Sequence, residues 1–403
     1  MISANTKALP LDHQAQALHH EIKREKPVDE LAQASLGSSR NSVEQKSRSK
    51  RRQRYKLQRF AGKLLPGFSV GKCSCATIPN KPVQVKLGKK GASFSGVMRC
   101  GSVWTCPVCS ARISVRRAEE LNLAIEAHEN EAGGIVLLMT LTVQHTRSDN
   151  LKELQDDFLR AEKALKQGKV WRDLNARLVG SVRALEVTRG ANGWHPHSHT
   201  LLFWQGGDLE AAKEAANKLR KAWTKSLAKQ GRRCGRAGFD LRYGKAAASY
   251  MTKWGLAAET AMSHEKKGKS SRTPWEILAS AADGDEKDAA LFRVFAQALK
   301  GKRQLTWSRG LKELYEIEER TDEQLADEQA EDGAEVVATI TKDDWGKVVL
   351  VGFQCRVLEG AEVAGEKGVA RVISLAHEAV ERRRREWHEE WQRTGVRPAG
   401  AFR

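Results

Sequence analysis

The sequence predicts an α+β fold, an antiparallel sheet backed by helices on one face. Three observations point to it. Ile135 to Val143 is a continuous apolar run of strand length. Val182 to Thr188 and His197 to Trp204 form a strand pair around the turn Arg189-Gly190-Ala191-Asn192-Gly193. Between and after these lie stretches whose apolar residues recur at helical spacing.

Taken in order, Ile135 to Val143 is the first strand. Asn150, with Glu153 three residues on, marks the start of a helix whose apolar face is Leu151, Leu154, Phe158, Ala161 and Leu165. The strand pair follows. Asp208 then caps a second helix, with Leu209, Ala212, Ala216, Leu219, Trp223 and Leu227 on one face. Phe239 to Tyr243 reads as a short strand, and a third helix runs from about Lys245 to Ala258. The order β-α-β-β-α-β, followed by a helix, is the ferredoxin-like arrangement.

The expected domain boundaries are a basic disordered arm over 1–63, a cysteine-rich module over 64–120, the sheet domain over 130–312, an acidic linker over 313–345 and a C-terminal region over 346–403. The arm is poor in aromatics and contains Lys46, Arg48, Lys50, Arg51, Arg52, Arg54, Lys56, Arg59 and Lys63 with no acidic residue among them. Such a segment cannot bury enough apolar surface to fold alone. Residues 313–335 carry eleven Asp and Glu against the single Arg320. The C-terminal region ends in a basic helix with Arg382 to Arg385 beside Trp387 and Trp391.

The formal charge of +19 over 403 residues points to a polyanionic partner, nucleic acid or an anionic membrane surface. No apolar stretch approaches the roughly 20 residues needed to cross a bilayer, and the first thirty residues lack a signal-peptide apolar core. The expectation is therefore a cytoplasmic protein that binds nucleic acid and no membrane. Arg51, Arg52 and Arg54 in the arm are candidates for phosphate contacts. Arg272 to Leu278 and Gly301 to Leu311, with Lys302 and Arg303, interleave basic and aromatic residues in a way suited to single-stranded nucleic acid.

The chemistry centres on His195-Pro196-His197-Ser198-His199. Side chains alternate along a strand, so His197 and His199 share a face. Pairing around the Ala191-Asn192 turn brings Glu186 opposite His197. Two imidazoles and a carboxylate make a divalent-cation site with open positions, suited to Mn²⁺ or Mg²⁺ when a phosphate oxygen completes the shell. His195 is the rival third ligand; Pro196 after it suggests a turn position instead. Tyr250 is the candidate nucleophile, with Lys253 three residues on along the same helix face. A phenol ionises near pH ~10, so attack on a phosphodiester needs a group that exposes the oxyanion.

Seven cysteines, an odd number, favour metal ligation over a disulfide framework. Cys106 and Cys109, with Cys100 six residues earlier and Cys73 or Cys75 a loop away, have the count and spacing of a tetrahedral structural Zn²⁺ site. The expected set is Cys73, Cys100, Cys106 and Cys109, with Cys75 spare and Cys234 and Cys355 free.

Met139-Thr140-Leu141-Thr142-Val143, the histidine run, and Tyr250 with Lys253 resemble, in order and spacing, the three motifs of HUH endonucleases. More narrowly they resemble the rolling-circle plasmid replication initiators, the Rep family, as do Cys100 to Cys109 and the two basic-aromatic stretches. The match spans roughly residues 70 to 315. The resemblance implies that Tyr250 attacks a phosphodiester in single-stranded origin DNA, becomes joined to the 5′ phosphate and releases a 3′ hydroxyl for a host polymerase. It implies an HUH nuclease domain of ferredoxin-like fold beside a zinc module, with single-stranded and duplex origin DNA and host replication proteins as partners. One departure is Ala246, where some members of the family carry a carboxylate before the tyrosine. Termination would then draw on another carboxylate, on Tyr243, or on a second protomer in a dimer. The competing readings are an HUH transposase or relaxase, and a zinc-containing DNA-binding protein without catalysis.

Overall fold

A computed structural model describes residues 42–89, 91–243, 271–327 and 333–395. Along the chain come helix α1 (Ser42–Leu64), strands β1 (Val83–Gly88) and β2 (Gly91–Ser95), helix α2 (Pro107–Glu126) and strand β3 (Ile135–Thr142). Helices α3 (Leu151–Gln167) and α4 (Lys169–Asn175) lead to strands β4 (Leu178–Gly190) and β5 (Gly193–Trp204), helix α5 (Leu209–Ala228) and strand β6 (Phe239–Tyr243). After them come β7 (Ser271–Arg272), α6 (Pro274–Ala282), α7 (Glu286–Leu299), β8 (Leu305–Trp307) and α8 (Leu311–Leu314). The chain continues with α9 (Asp322–Asp327), β9 (Glu335–Ile340), α10 (Lys342–Val351) and α11 (Gln354–Thr394). It divides into two compact units, one containing Val103–Thr321 and one joining Leu36–Ser102 to Asp322–Arg403.

The first unit is built on an antiparallel sheet in the order β6-β3-β5-β4-β7, with β8 also paired to β4. The expected β-α-β-β-α-β element order is present over β3 to β6. Local chemistry starts its helices where the sequence predicts. The Asn150 carboxamide oxygen accepts from the N–H groups of Lys152 and Glu153, and the Asp208 carboxylate from that of Ala211. Thr273 closes a capping box with Glu276, with Pro274 in the first turn.

Strand alternation divides the sheet into two faces. On one, Leu121, Ala124 and Ile125 of α2 share a buried cluster with Val136 and Leu138 of β3, Val182 and Ala184 of β4, and Leu201 and Phe203 of β5. Helices α3 and α5 serve the other: α3 contacts β5, and α5 contacts β6. The Trp223 indole N–H of α5 donates to the Thr142 carbonyl at 3.0 Å, and its ring meets Phe158 of α3 edge-on at 5.5 Å. Helices thus cover both faces, where the sequence predicts one. The reason lies in β3 and β5, whose apolar residues fill both alternating sets, and a strand apolar on both sides needs two covers.

The second unit departs further from expectation. Residues 42–64, predicted as part of a disordered arm, form α1, with Leu57, Phe60, Ala61 and Leu64 buried along one stripe. Part of its charge is paired within the unit: the Arg51 guanidinium donates to both Glu362 oxygens at 2.7 and 2.5 Å, and Arg52 Nε to Glu359 at 2.8 Å. Both guanidiniums are engaged by carboxylates of α11, and the Arg52 side chain stays half exposed. Nor is 313–345 a structureless linker. It contains α9, and β9, which pairs antiparallel with β1 in a sheet ordered β2-β1-β9. The expected 64–120 module is divided as well: its β1–β2 hairpin belongs to this unit, and α2 to the other.

Candidate metal centre

Where α2 stops covering the first unit's sheet, the same face turns polar. Thr140 pairs with His199 and Thr142 with His197 across β3 and β5, while Glu186 of β4 pairs with His197 from the other side. Residues directly opposite in an antiparallel pair point to one face, so both threonines, both histidines and the carboxylate converge. Glu186 Oε2 lies 3.1 Å from His197 Nε2 and 3.5 Å from His199 Nε2. One ligand atom from each of the three residues lies within 4.8 Å of the others. The histidine side chains are mostly buried and Glu186 is more open, with 34% of its side chain exposed, so the site is reachable from solvent.

The rings are held from behind. His197 Nδ1–H donates to the His195 carbonyl at 3.2 Å, and His199 Nδ1 meets Thr140 Oγ1 at 2.9 Å. Both imidazoles therefore present Nε2 to the carboxylate. Burial pushes Glu186 up, but the charge and hydrogen bond of His197, joined by those of His199, outweigh it and hold the carboxyl well below its usual range. Burial pulls His197 down, and the facing carboxylate more than reverses this, raising it above an ordinary imidazole. His199 falls, because burial and the neighbouring His197 outweigh its bond to Glu186. Two imidazole nitrogens and an ionised carboxylate are the donor set of a divalent cation with positions left for an oxygen ligand.

His195 is not in a turn. It continues β5, paired with Thr188, and its ring lies 4.9 Å from that of His197. Pro196 is tolerated because pairing with β3 begins at His197, leaving β4 as its neighbour there. His145, in the segment after β3, stacks on His195 at 4.9 Å. Burial, with the charges of His197 and His145, pulls His195 down to about 4. The stack has no sequence signal, since fifty positions separate the two residues.

The four sulfurs of Cys73, Cys100, Cys106 and Cys109 also lie within 4.8 Å of one another, a donor set suited to a soft or borderline cation. Cys75 stands outside this set: its Sγ accepts from Gln354 Nε2 at 3.4 Å, and burial pushes its thiol up. Cys234 and Cys355 form no disulfide.

Tyr250, Lys253 and Ala246 lie outside the described residues. Tyr243 ends β6, half exposed, with the Lys213 ammonium 4.4 Å from its ring centre. Lys302 is drawn to Asp156 at 2.5 Å, while Arg303 is exposed. The stacking platforms expected downstream are occupied. Trp275 is buried beside Phe292, and Trp307 lies in β8 with the Lys312 ammonium over its ring. Arg54 is half-buried.

Fold and site together define an α+β protein whose antiparallel sheet brings two histidines and a carboxylate together on one face, a set that could hold a metal ion. The model of the replication protein family Rep_1 matches residues 95–346, more than half of the chain. The chain belongs to that family. It is 34% identical over 149 residues to Protein rep of Streptomyces lividans, covering 30% of this chain and 32% of that protein. It is 32% identical over 142 residues to Protein rep of Lentilactobacillus hilgardii, covering 33% and 43% respectively. A Streptomyces cyanogenus protein named for neomycin resistance is 32% identical over 145 residues, covering 29% and 33%. The matched part thus spans about a third to two fifths of the length of these relatives. No solved structure matches the chain. Among the described residues no helix is long and apolar enough to cross a membrane.

Proposed function

We propose that this chain initiates rolling-circle replication of a plasmid by nicking single-stranded origin DNA. The observation that carries the reading is the convergence of His197, His199 and Glu186 on one sheet face. The strand order β6-β3-β5-β4 supports a ferredoxin-like HUH nuclease, since it places the first and third strands of the unit side by side at its centre.

Tyr250 is the nucleophile. The phenol passes its proton to water, the phenolate oxygen bonds to the scissile phosphorus, the P–O3′ bond breaks, and the 3′ oxygen takes a proton from water to leave as a hydroxyl that a host polymerase extends. The 5′ phosphate stays on the tyrosine. Lys253 stabilises the phenolate or the phosphate in flight. His197, His199 and Glu186 hold Mn²⁺ or Mg²⁺, which supplies Lewis-acid polarisation of the scissile phosphate. The four-cysteine cluster holds Zn²⁺ in a structural role. Arg51, Arg52, Arg54, Lys302 and Arg303 are the candidate DNA contacts, and the site of action is the cytoplasm.

The test uses the full chain with Mn²⁺ and single-stranded oligonucleotides tiling the plasmid origin. Wild type forms a covalent DNA adduct and Tyr250→Phe forms none; absence of an adduct on every substrate overturns the reading. His197→Ala and His199→Ala abolish cleavage and leave salt-sensitive DNA binding largely intact, because binding rests on basic surface. Equal loss of both would make the histidines structural.

A further inference from the structure

The run Met139 to Val143 has an alternation that the nicking reading leaves unused. Met139 and Leu141 are fully buried. Thr140 and Thr142 point to the opposite face, the one that carries Val136 and Leu138 in the apolar cluster under α2. The face therefore changes from hydrophobe to hydroxyl at Thr140, the position paired with His199.

We propose that Thr140 is a positioning residue for the metal centre: its Oγ1 accepts the Nδ1–H of His199, fixing the tautomer that leaves the Nε2 lone pair for the cation. The inference rests on reading His197, His199 and Glu186 as a metal site. The Oγ1 to Nδ1 distance is 2.9 Å. His197 is held the same way at its own Nδ1, by the His195 carbonyl, an atom that can only accept. The two histidines thus form a matched pair, each anchored at Nδ1 and each aiming Nε2 at Glu186 Oε2. Thr140 suits the task for two reasons. A β-branched side chain is stiff at χ1, and β3 lies between β5 and β6, so its backbone cannot swing away. Outer partners of metal-bound imidazoles of this kind set ring orientation and basicity.

The experiment is an Mn²⁺ titration of the full chain, given one equivalent of Zn²⁺ for the four thiols and cleared of any excess so that the histidine site is left for Mn²⁺, followed by electron paramagnetic resonance of the free ion. Wild type and the Thr140→Val, Thr140→Ser and Thr140→Ala variants are compared, with the thermal midpoint of each measured before Mn²⁺ is added. Valine keeps the branched shape and removes the acceptor; serine keeps the hydroxyl and loses the methyl. The expected result is Mn²⁺ affinity lowered roughly ten- to a hundred-fold by valine, near wild type with serine, and a thermal midpoint little changed in either. Should valine unfold the chain, the comparison passes to serine and alanine, with serine binding more tightly. Valine binding Mn²⁺ as wild type does, or serine no better than alanine, overturns the role of Thr140 while wild-type binding leaves the metal centre standing. A wild type that binds no Mn²⁺ overturns the metal centre, and this role with it.

Discussion

Replacing Gly193 by alanine tests how the histidine strand is anchored. Gly193 follows the Ala191-Asn192 turn with φ +95°, a conformation that costs an L residue about 1–2 kcal/mol. A Cβ there would also lie 2.8 Å from the Thr146 carbonyl oxygen and 3.0 Å from Arg147 Cα. The Thr146 segment cannot retreat freely. Asp149 holds it, accepting from the Thr146 N–H at 2.6 Å and hydroxyl at 2.9 Å, and is itself bound to Arg232 at 2.6 Å. Overpacking against such a segment adds about 1–3 kcal/mol. Lost freedom in the unfolded chain returns about 0.4–1 kcal/mol, leaving a net destabilisation of about 1–5 kcal/mol. Gly206→Ala is the control: its φ is +75° and a Cβ would meet nothing within 4 Å, so it carries the conformational cost without the collision. Urea denaturation of both variants reads the difference. If Gly193→Ala is no less stable than Gly206→Ala, the close approach of the two segments is not what fixes the hairpin tip.

Two further predictions concern stability. Tyr315→Phe removes the hydroxyl that donates to Nδ1 of His128 at 2.7 Å; that ring is fully buried, and its Nε2–H donates to the Trp204 carbonyl. The orphaned nitrogen should cost about 1–3 kcal/mol in a urea titration, and an unchanged midpoint would refute the pairing. Glu362→Gln tests the α1–α11 ion pair through pH. Burial pushes Glu362 up, but hydrogen bonds from Arg51 and the Ala92 N–H, with the charges of Arg51 and Arg48, hold it below the usual range. A depressed folded value means stability present above the unfolded pKa of about 4.3 and lost as pH falls through the folded one. Wild type should therefore exceed Glu362→Gln in stability at pH 7, and the gap should shrink below about pH 4; a gap constant down to pH 3 refutes the linkage.

What was legible in the sequence was local. Asn150 and Asp208 announce their helices because a cap needs a side chain within three residues of the N–H it satisfies. The pairing of Glu186 with His197 follows from a short turn and a period of two. Pro196 reads as a breaker until the extent of β3 is known, so the sequence puts His195 in a turn where the structure has a strand. Residues 42–64 read as an arm for a reason of distance: Arg51 and Glu362 are 311 positions apart, and nothing in either segment names the other. The acidic stretch misled in the same way, because β9 takes its place in a sheet only through β1. Buried polar residues were hidden too. Gln155 and Glu162 lie on the buried face of α3, and Glu162 answers Arg183 of β4 at 3.5 Å.

The site and the core are consecutive stretches of one sheet face, and this explains how so few side chains can form a candidate cation site. Val136, Leu138, Leu201 and Phe203 are locked under α2 in the cluster that stabilises the unit. Two residues further along the same strands stand Thr140 and His199, so the ligands inherit strand positions already fixed by packing. A rigid scaffold holds a cation geometry better than a loop does, and here the hydrogen bonds to Nδ1 complete that rigidity at the rings themselves. The polar end of the face is partly withdrawn from water, which strengthens the attraction between Glu186 and a cation or an imidazolium. A cation entering there meets a carboxylate and two oriented nitrogens without waiting for the backbone to move.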